Sequence, residues 1–237
     1  MTQDERELIV VCPVYNESAE SLHALAREWE QVLDKHVGDW EWLFIDDGST
    51  AQGTRDALDA IVAARPRFQV SRTPNQGHGQ ACLFGYRMTR PMTDWILQID
   101  SDGQCRVEDF PPLWNARRPD FHQFGVRVRR DDGRLRRWIS LGVRSYLWAA
   151  TGVCHPDPNS PFRLLFAPIL EGTLDALPYN LANMALSLKI ADRSRFTPIG
   201  FAQRRQGAST HKFFASLKNI LELRGLDLAP RQFRGRA

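Results

Sequence analysis

Lysine is nearly missing from this chain: it stands only at positions 35, 189, 212 and 218 of 237 residues, so almost all positive charge is arginine. The planar guanidinium fork suits phosphate and carboxylate partners, although an arginine-rich genome leaves the same count. Thirty-one basic against 28 acidic residues give a net charge of only +3. That excess is too small to mark a nucleic-acid binder, so no nucleic acid is expected as a partner. Cysteine is scarce too: Cys12, Cys82, Cys105 and Cys154 lie far apart without a CxxC pair. They read as reduced packing residues in a cytosolic chain. No apolar run reaches the roughly 18 residues of a membrane span, and the nearest, Trp138 to Cys154, is interrupted by Arg144. The opening MTQDERE is acidic and polar, unlike a signal peptide. The expected location is the cytoplasm, free or peripheral on the cytoplasmic face of a membrane. Repeats and low-complexity tracts are also lacking. The 43% of apolar residues is enough for a buried core, in one large domain or a domain with an appendage.

What the chain does have is alternation. Leu8 to Val14, Trp42 to Ile45 and Trp95 to Ile99 are compact apolar runs, as strands buried on both faces of a parallel sheet require. Amphipathic stretches separate them at Ser21 to Val37, Thr54 to Ala64 and Gly79 to Thr89. Strand and helix in turn predict right-handed βαβ units and an α/β sandwich. Beyond about residue 120 the spacing predicts a strand over Phe121 to Val128. Helices are expected at Leu135 to Ala150, Tyr179 to Ile190 and His211 to Arg224.

Three strands run into polar turns: Pro13-Val14-Tyr15-Asn16-Glu17, Asp46-Asp47-Gly48-Ser49 and Asp100-Ser101-Asp102-Gly103-Gln104. In an open parallel sheet such ends share one edge, where ligands bind at the topological switch point. Five carboxylates there (Glu17, Asp46, Asp47, Asp100 and Asp102) would repel one another unless a cation or a donor-rich ligand came between them. An oxygen-only donor set without zinc-spaced His or Cys selects Mg²⁺ or Mn²⁺, which usually also takes substrate phosphate oxygens. A metal-bound nucleoside diphosphate is the expected guest. Plain turn chemistry is the alternative for any one of these motifs alone.

Two further features carry less information. Asn75-Gln76-Gly77-His78-Gly79-Gln80-Ala81 opens a helix and suits phosphates, but Cys82 stands where a dinucleotide fingerprint needs its third glycine. Seven arginines against Asp131 and Asp132 between Gly125 and Arg144 make either a solvated basic face or a site for phosphate or anionic lipid. Of the histidines, His23, His36 and His122 have no spaced metal partner. His78, His155 and His211 sit near proposed phosphate loops and could donate to a phosphate.

Taken together, PVYNE, IDDGS, NQGHGQA and QIDSDGQ resemble the nucleotide-binding half of inverting family-2 glycosyltransferases of the GT-A fold. GVR at 125–127, RRWIS at 136–140, DPNSPFR at 157–163 and RRQGAS at 204–209 follow in an order similar to polyprenyl-phosphate sugar synthases, the dolichol-phosphate mannose synthase branch. The resemblance implies an α/β GT-A-type, Rossmann-like, mainly parallel sheet sandwiched by helices. It divides the chain into a glycosyltransferase domain over 1–212 (nucleotide-binding half 1–118, acceptor half 119–212) and a C-terminal amphipathic helix and basic tail over 213–237.

The resemblance also assigns residues. Pro13, Tyr15 and Glu17, with Asp46 or Asp47, match positions holding the base and ribose of the donor. Asp100, Asp102 and Gln104 match the DxDxQ set that carries Mg²⁺ or Mn²⁺ and, through it, the pyrophosphate. Arg127, Arg136 and Ser140 match positions gripping the acceptor's phosphate. Asp157 and Arg163 match the acceptor-loop pair, and Arg204 with Ser209 a late phosphate-contacting segment. The sequence departs from the family at Asn159, Ser160 and Pro161, in place of a small-residue run, and at His78 and Thr210, in place of lysines.

The expected reaction is single displacement with inversion. A nucleoside-diphosphate sugar is the donor and a polyprenyl phosphate the acceptor, with Arg163 and Arg204 beside the leaving group. A phosphate acceptor is a dianion at pH 7 and needs no general base. Asp157 would then hold Arg127 or Arg136, or help seat the donor, whereas with a hydroxyl acceptor it would be the base. The alternatives are a family-2 enzyme with a saccharide or other hydroxyl acceptor, and a non-catalytic sugar-nucleotide-binding subunit. The 211–228 stretch would either lie on a membrane surface, dock on a membrane-anchoring partner, or pack as a core helix.

Overall fold

The computed structural model describes residues 6–127, 152–170 and 182–200, with 145, 148, 149, 172–174 and 177 between them. Seven strands form one sheet among these residues: β1 (Arg6–Val14), β2 (Trp40–Asp47), β3 (Phe68–Thr73), β4 (Thr93–Gln98), β5 (His122–Arg127), β6 (Arg163–Phe166) and β7 (Ser194–Ile199). Their order is β3-β2-β1-β4-β6-β5-β7. β3, β2, β1 and β4 are mutually parallel. β6 runs antiparallel to both neighbours, and β7 parallel to β5. The GT-A-type α/β expectation holds, and a single sheet crosses the predicted divide near residue 118.

The central strands are buried on both faces. In β1, Leu8, Val10, Cys12 and Val14 face one apolar cluster while Ile9 and Val11 face the other, and β2 divides likewise. That two-sided burial is why both read as unbroken apolar runs. Helix α1 (Ala19–His36) covers the first face with Leu22, Leu25, Ala26, Trp29 and Leu33, a single stripe at 3.6-residue spacing. Ser18 caps it by accepting from Ser21 N at 3.2 Å, and Lys35 and His36 sit in its last turn where the helix dipole favours positive charge. Trp29 meets Trp42, Phe110 and Phe162 at ring distances of 6.1, 5.9 and 6.0 Å. Helices α2 (Gln52–Ala64) and α4 (Phe110–Asn115) complete this layer. The opposite face is covered by α3 (His78–Thr89) and α5 (Ala182–Lys189). Gly85 of α3 faces β1, and a Cβ there would run into Val11, so the helix lies against the strand at a distance no side chain permits.

β3, β6 and β7 were not legible as strands. β3 (FQVSRT) and β7 (SRFTPI) are sheet edges with only one fully buried residue each. β6 has four residues and opens on an arginine. The expected strand at 121–128 forms as β5. The 179–190 helix begins at Ala182 among the described residues, and the predicted helices over 135–150 and 211–224 lie outside them, as does the 213–237 appendage.

One buried group on β5 makes stability depend on pH. His122 is 1% exposed; its Nδ1 accepts from Phe166 N at 3.1 Å and its Nε2 has no hydrogen-bond partner. Burial, reinforced by the charge of Arg193, pushes its pKa down from 6.5 to about 3. Between those two values the unfolded chain binds the extra proton, so stability falls as the pH drops, by about 1.4 kcal/mol per unit. Urea unfolding at pH 5 is expected to give roughly 2 kcal/mol less stability than at pH 7 on this count. His122→Asn, whose amide oxygen offers Phe166 the same acceptor without a titrating ring, should lose most of that difference. An equal difference in the variant would assign it to another group.

Candidate active site

The carboxyl ends of β1, β2 and β4 lie side by side, with Val14 opposite Asp46 and Val11 opposite Gln98. This brings Pro13, Tyr15, Glu17, Asp46, Asp47, Asp100, Asp102 and Gln104 to one edge of the sheet, as expected. Pro13 is buried within β1, Tyr15 is exposed at the mouth, and Glu17 is half-buried.

The carboxylates do not form the five-membered anionic cleft that their sequence positions implied. Asp46, 1% exposed, accepts from Ser49 N at 2.9 Å through Oδ1, and its Oδ2 lies 3.6 Å from Arg72 Nε. Asp47 accepts from Gln76 N and Gly77 N at 2.8 and 2.9 Å. Its charge thus serves the backbone leading into α3 and anchors that loop. Gly48 (φ +70°) permits this closure, since a Cβ there would lie 2.6 Å from Asn75 N. Among the described residues no three His, Cys, Asp or Glu side chains are gathered for a metal ion.

The DxDxQ turn follows β4. Asp102 Oδ1 accepts from Gln104 N at 3.1 Å. Asp100 Oδ1 lies 2.9 Å from His78 Nε2 and accepts from Gln98 Nε2 at 2.8 Å. His78 therefore faces a carboxylate instead of standing ready for a phosphate. Desolvation lowers its pKa, but Cys82 and Asp100 outweigh that and raise it well above the ordinary value. Burial tends to raise the pKa of Asp100, and the opposing charge and hydrogen bond of His78, with the charges of Arg163 and Arg127, bring it below the usual value. Each group thus favours the charged form of the other.

On the acceptor side, Arg127 at the end of β5 and Asp157 form a two-bond fork, Nε to Oδ2 at 2.6 Å and Nη2 to Oδ1 at 2.7 Å. Arg127 Nη2 also donates to Asn159 O at 3.2 Å. Arg163, expected beside the leaving group, is 1% exposed; it donates from Nε to Ser160 O at 2.8 Å and from Nη2 to Pro158 O at 3.3 Å, and its charge acts on Asp100. Its charge grips the 157–160 loop from inside while Arg127 grips it from outside. Ser160 Oγ adds a bond to Gly125 O at 2.5 Å. His155 packs between Phe124 and Phe196, each 4.9 Å away and edge-on, and its Nδ1 accepts from Asp157 N. It too is a loop-holding residue. Arg136, Ser140, Arg204, Ser209 and His211 lie outside the described residues.

Three residues here escaped the sequence reading. Asn16, at φ +52°, accepts from Thr50 N and Ala51 N at 2.8 and 3.0 Å, tying the loop after β1 to the loop after β2. Its place in a turn was the available signal, since Asn tolerates this backbone region. Arg72 gave none, because its contact with Asp46 does not follow from spacing along the chain; Gln98 stands two residues before Asp100, and that spacing was its signal.

This edge can now be set beside known proteins. The sequence model of glycosyl transferase family 2 matches residues 9–168, which includes most of β1, all of β2 to β6 and every carboxylate just described. The chain belongs to glycosyl transferase family 2. An undecaprenyl-phosphate 4-deoxy-4-formamido-L-arabinose transferase from Pseudomonas fluorescens is 29% identical over 206 residues, covering 85% of this chain and 59% of the relative. One from Salmonella choleraesuis is 27% identical over 219 residues, covering 92% and 66%. The family-2 chain thus spans about three-fifths to two-thirds of the length of these relatives. The fold is similar to that of a mannosyltransferase from Pyrobaculum calidifontis in complex with GDP-Man and Mn²⁺, with a TM-score of 0.59, 17% identity and coverage of 86% and 59%. It is also similar to glucosyl-3-phosphoglycerate synthase from Mycobacterium tuberculosis in complex with Mn²⁺, UDP and glucosyl-3-phosphoglycerate, with a TM-score of 0.62, 17% identity and coverage of 92% and 77%. No helix among the described residues is long and apolar enough to cross a membrane.

Proposed function

We propose that this family-2 protein transfers a sugar from a nucleoside diphosphate to a polyprenyl phosphate, with inversion at the anomeric carbon. The observation that carries the donor half is the meeting of the DxDxQ turn with the β1 and β2 loops at one sheet edge. In this reading Tyr15 and Asp46 contact the base and ribose, and Glu17 borders the same hollow. The relatives' names, which specify undecaprenyl phosphate, support the acceptor class.

The donor set at the DxDxQ turn is made of hard oxygens and offers fewer than three gathered carboxylates. That fits Mg²⁺ or Mn²⁺, which are bound by one or two carboxylates and completed by water and substrate phosphates. Asp102, Asp100 and Gln104 are the residues that would hold such an ion, whose chemistry when bound is to offset the charge of the departing diphosphate.

The Asp157 fork favours a phosphate acceptor over a hydroxyl. A hydroxyl nucleophile needs a base that takes up its proton, and doing so would cost Asp157 the charged two-bond pairing it makes with Arg127. A phosphate monoester is ionised at pH 7 and attacks without one. Arg127, with Arg136, Ser140 and Ser209, is then the acceptor-phosphate set, and Arg204 stands beside the leaving group. In this reading 1–212 is the catalytic unit, and the 213–237 segment meets the membrane surface or a membrane-anchoring partner.

The test is a screen of UDP- and GDP-sugars against prenyl phosphates with Mn²⁺ or Mg²⁺, reading products by mass. Glycosyl prenyl phosphate that disappears with chelator is the expected result. Transfer only to hydroxyl acceptors, with a pH–rate profile showing an acid limb above about pH 6.5, would favour Asp157 as base.

A further inference from the structure

Asp100 is held from two directions by residues that the family resemblance does not assign. His78 is the first residue of α3, and its place is set by Gly77 N and Gln76 N, which donate to Asp47. Its Nε2 meets Asp100 Oδ1 at 2.9 Å, and Cys82 Sγ lies 3.9 Å from its ring nitrogens one turn along. Gln98, the last residue of β4, is 0% exposed, and its Nε2 donates to the same Oδ1 at 2.8 Å. Behind it Tyr86 OH, equally buried, donates to Gln98 Oε1 at 3.4 Å, which fixes the amide with its nitrogen toward Asp100. The inward face of α3, carrying His78, Cys82 and Tyr86, thus reads along the end of β4. Two donors converge on one oxygen of the carboxylate.

We propose that His78 and Gln98 are a positioning pair for the DxDxQ turn: together they occupy Oδ1 of Asp100 and present Oδ2 to the divalent cation. The inference rests on the reading of Asp100 as a cation-holding residue. Carboxylate ligands are normally oriented by such outer hydrogen bonds, and losing one typically costs 10- to 100-fold in metal affinity. The pair also gives a physical reason for the histidine at a position where the family tends to have lysine. An imidazole at the first turn of α3 points one N–H at Oδ1, whereas a flexible ammonium has no fixed donor direction.

The test titrates Mn²⁺ alone into the full chain and follows the paramagnetic resonance signal of the free ion. His78→Ala is expected to weaken Mn²⁺ binding about tenfold and Gln98→Leu by a similar factor. His78→Gln, which keeps an N–H donor, should recover most of the loss. The His78 side chain is 43% exposed, so its variants should melt within a few degrees of wild type and report on the ion rather than on folding. Mn²⁺ affinity within twofold of wild type in His78→Ala, or His78→Gln as weak as His78→Ala, overturns the pair while leaving the reading of Asp100 as a cation-holding residue intact. A wild-type chain that binds no Mn²⁺, either alone or with a nucleoside diphosphate present, overturns both the pair and the reading of Asp100 as a cation-holding residue.

Discussion

Asp102→Asn is expected to lower the rate of sugar transfer by about 10² to 10³-fold, the size of effect seen when one preorganised charge-stabilising group is removed. The substitution keeps the side chain's size and an oxygen able to accept from Gln104 N, so the turn should keep its shape and the melting temperature should stay close to wild type. What disappears is the negative charge. Asp102 lies on the DxDxQ turn where no three metal-ligating side chains gather among the described residues, so each carboxylate carries a large share of the hold on a divalent ion. The loss should appear in kcat at saturating donor and be only partly restored by raised Mn²⁺. Asp47→Asn offers a contrast. Its oxygens take two backbone N–H groups, so that change should lower stability more than it alters the metal dependence of the rate.

Removing Asp157 should produce the largest change in stability. Asp157→Ala deletes one half of a buried two-bond pair whose side chains are 14% and 9% exposed. Breaking such a pair costs about 3–5 kcal/mol, because the remaining charge stays buried without its partner. In a chain of this size that corresponds to a fall of roughly 10 °C in Tm. Arg127 would keep Asn159 O as a partner but lose its charge compensation. Burial lowers the pKa of its guanidinium, and the bond and charge of Asp157 more than reverse this. The two sites are coupled, so Arg127→Met with Asp157→Leu should be more stable than the sum of the single losses implies, with an interaction energy of about 1–3 kcal/mol in urea unfolding. Additivity of the two losses would contradict the fork. Both single variants should still bind the sugar nucleotide while losing turnover with prenyl phosphate, because the donor edge is built by other strands.

The division between what was readable in the sequence and what was not follows from burial and distance along the chain. β1, β2 and β4 are covered on both faces, so their apolar runs stood out, and the polar turns at their ends followed within a few residues. The edge strands β3 and β7 are half-polar because, among the described residues, one side of each has no strand beside it, and they resembled loops. β6 hides an arginine that would ordinarily mark a surface, since its charge is satisfied by carbonyls of its own loop. The site followed the same rule. That the carboxylates meet at one edge was legible from strand order, but how each is satisfied was not. Asp46 and Asp47 look alike in the chain, yet one reaches Ser49 and Arg72 while the other caps the approach to α3. Asp100 takes one partner, Gln98, from two residues away, but His78 comes from 22 residues away and the partner of Arg127 from 30. Only the packing of α3 against β4, and of the 157–160 loop against β5, brings them together.

The most direct measurement is anomalous diffraction from crystals of the chain grown with Mn²⁺ and a sugar nucleotide. One manganese peak beside Asp102 at the carboxyl ends of β1, β2 and β4, bridged to the diphosphate, with the base against Tyr15 and Asp46, is the predicted result. A nucleotide bound away from that edge, or manganese absent from the DxDxQ turn while the nucleotide is held there, would contradict it.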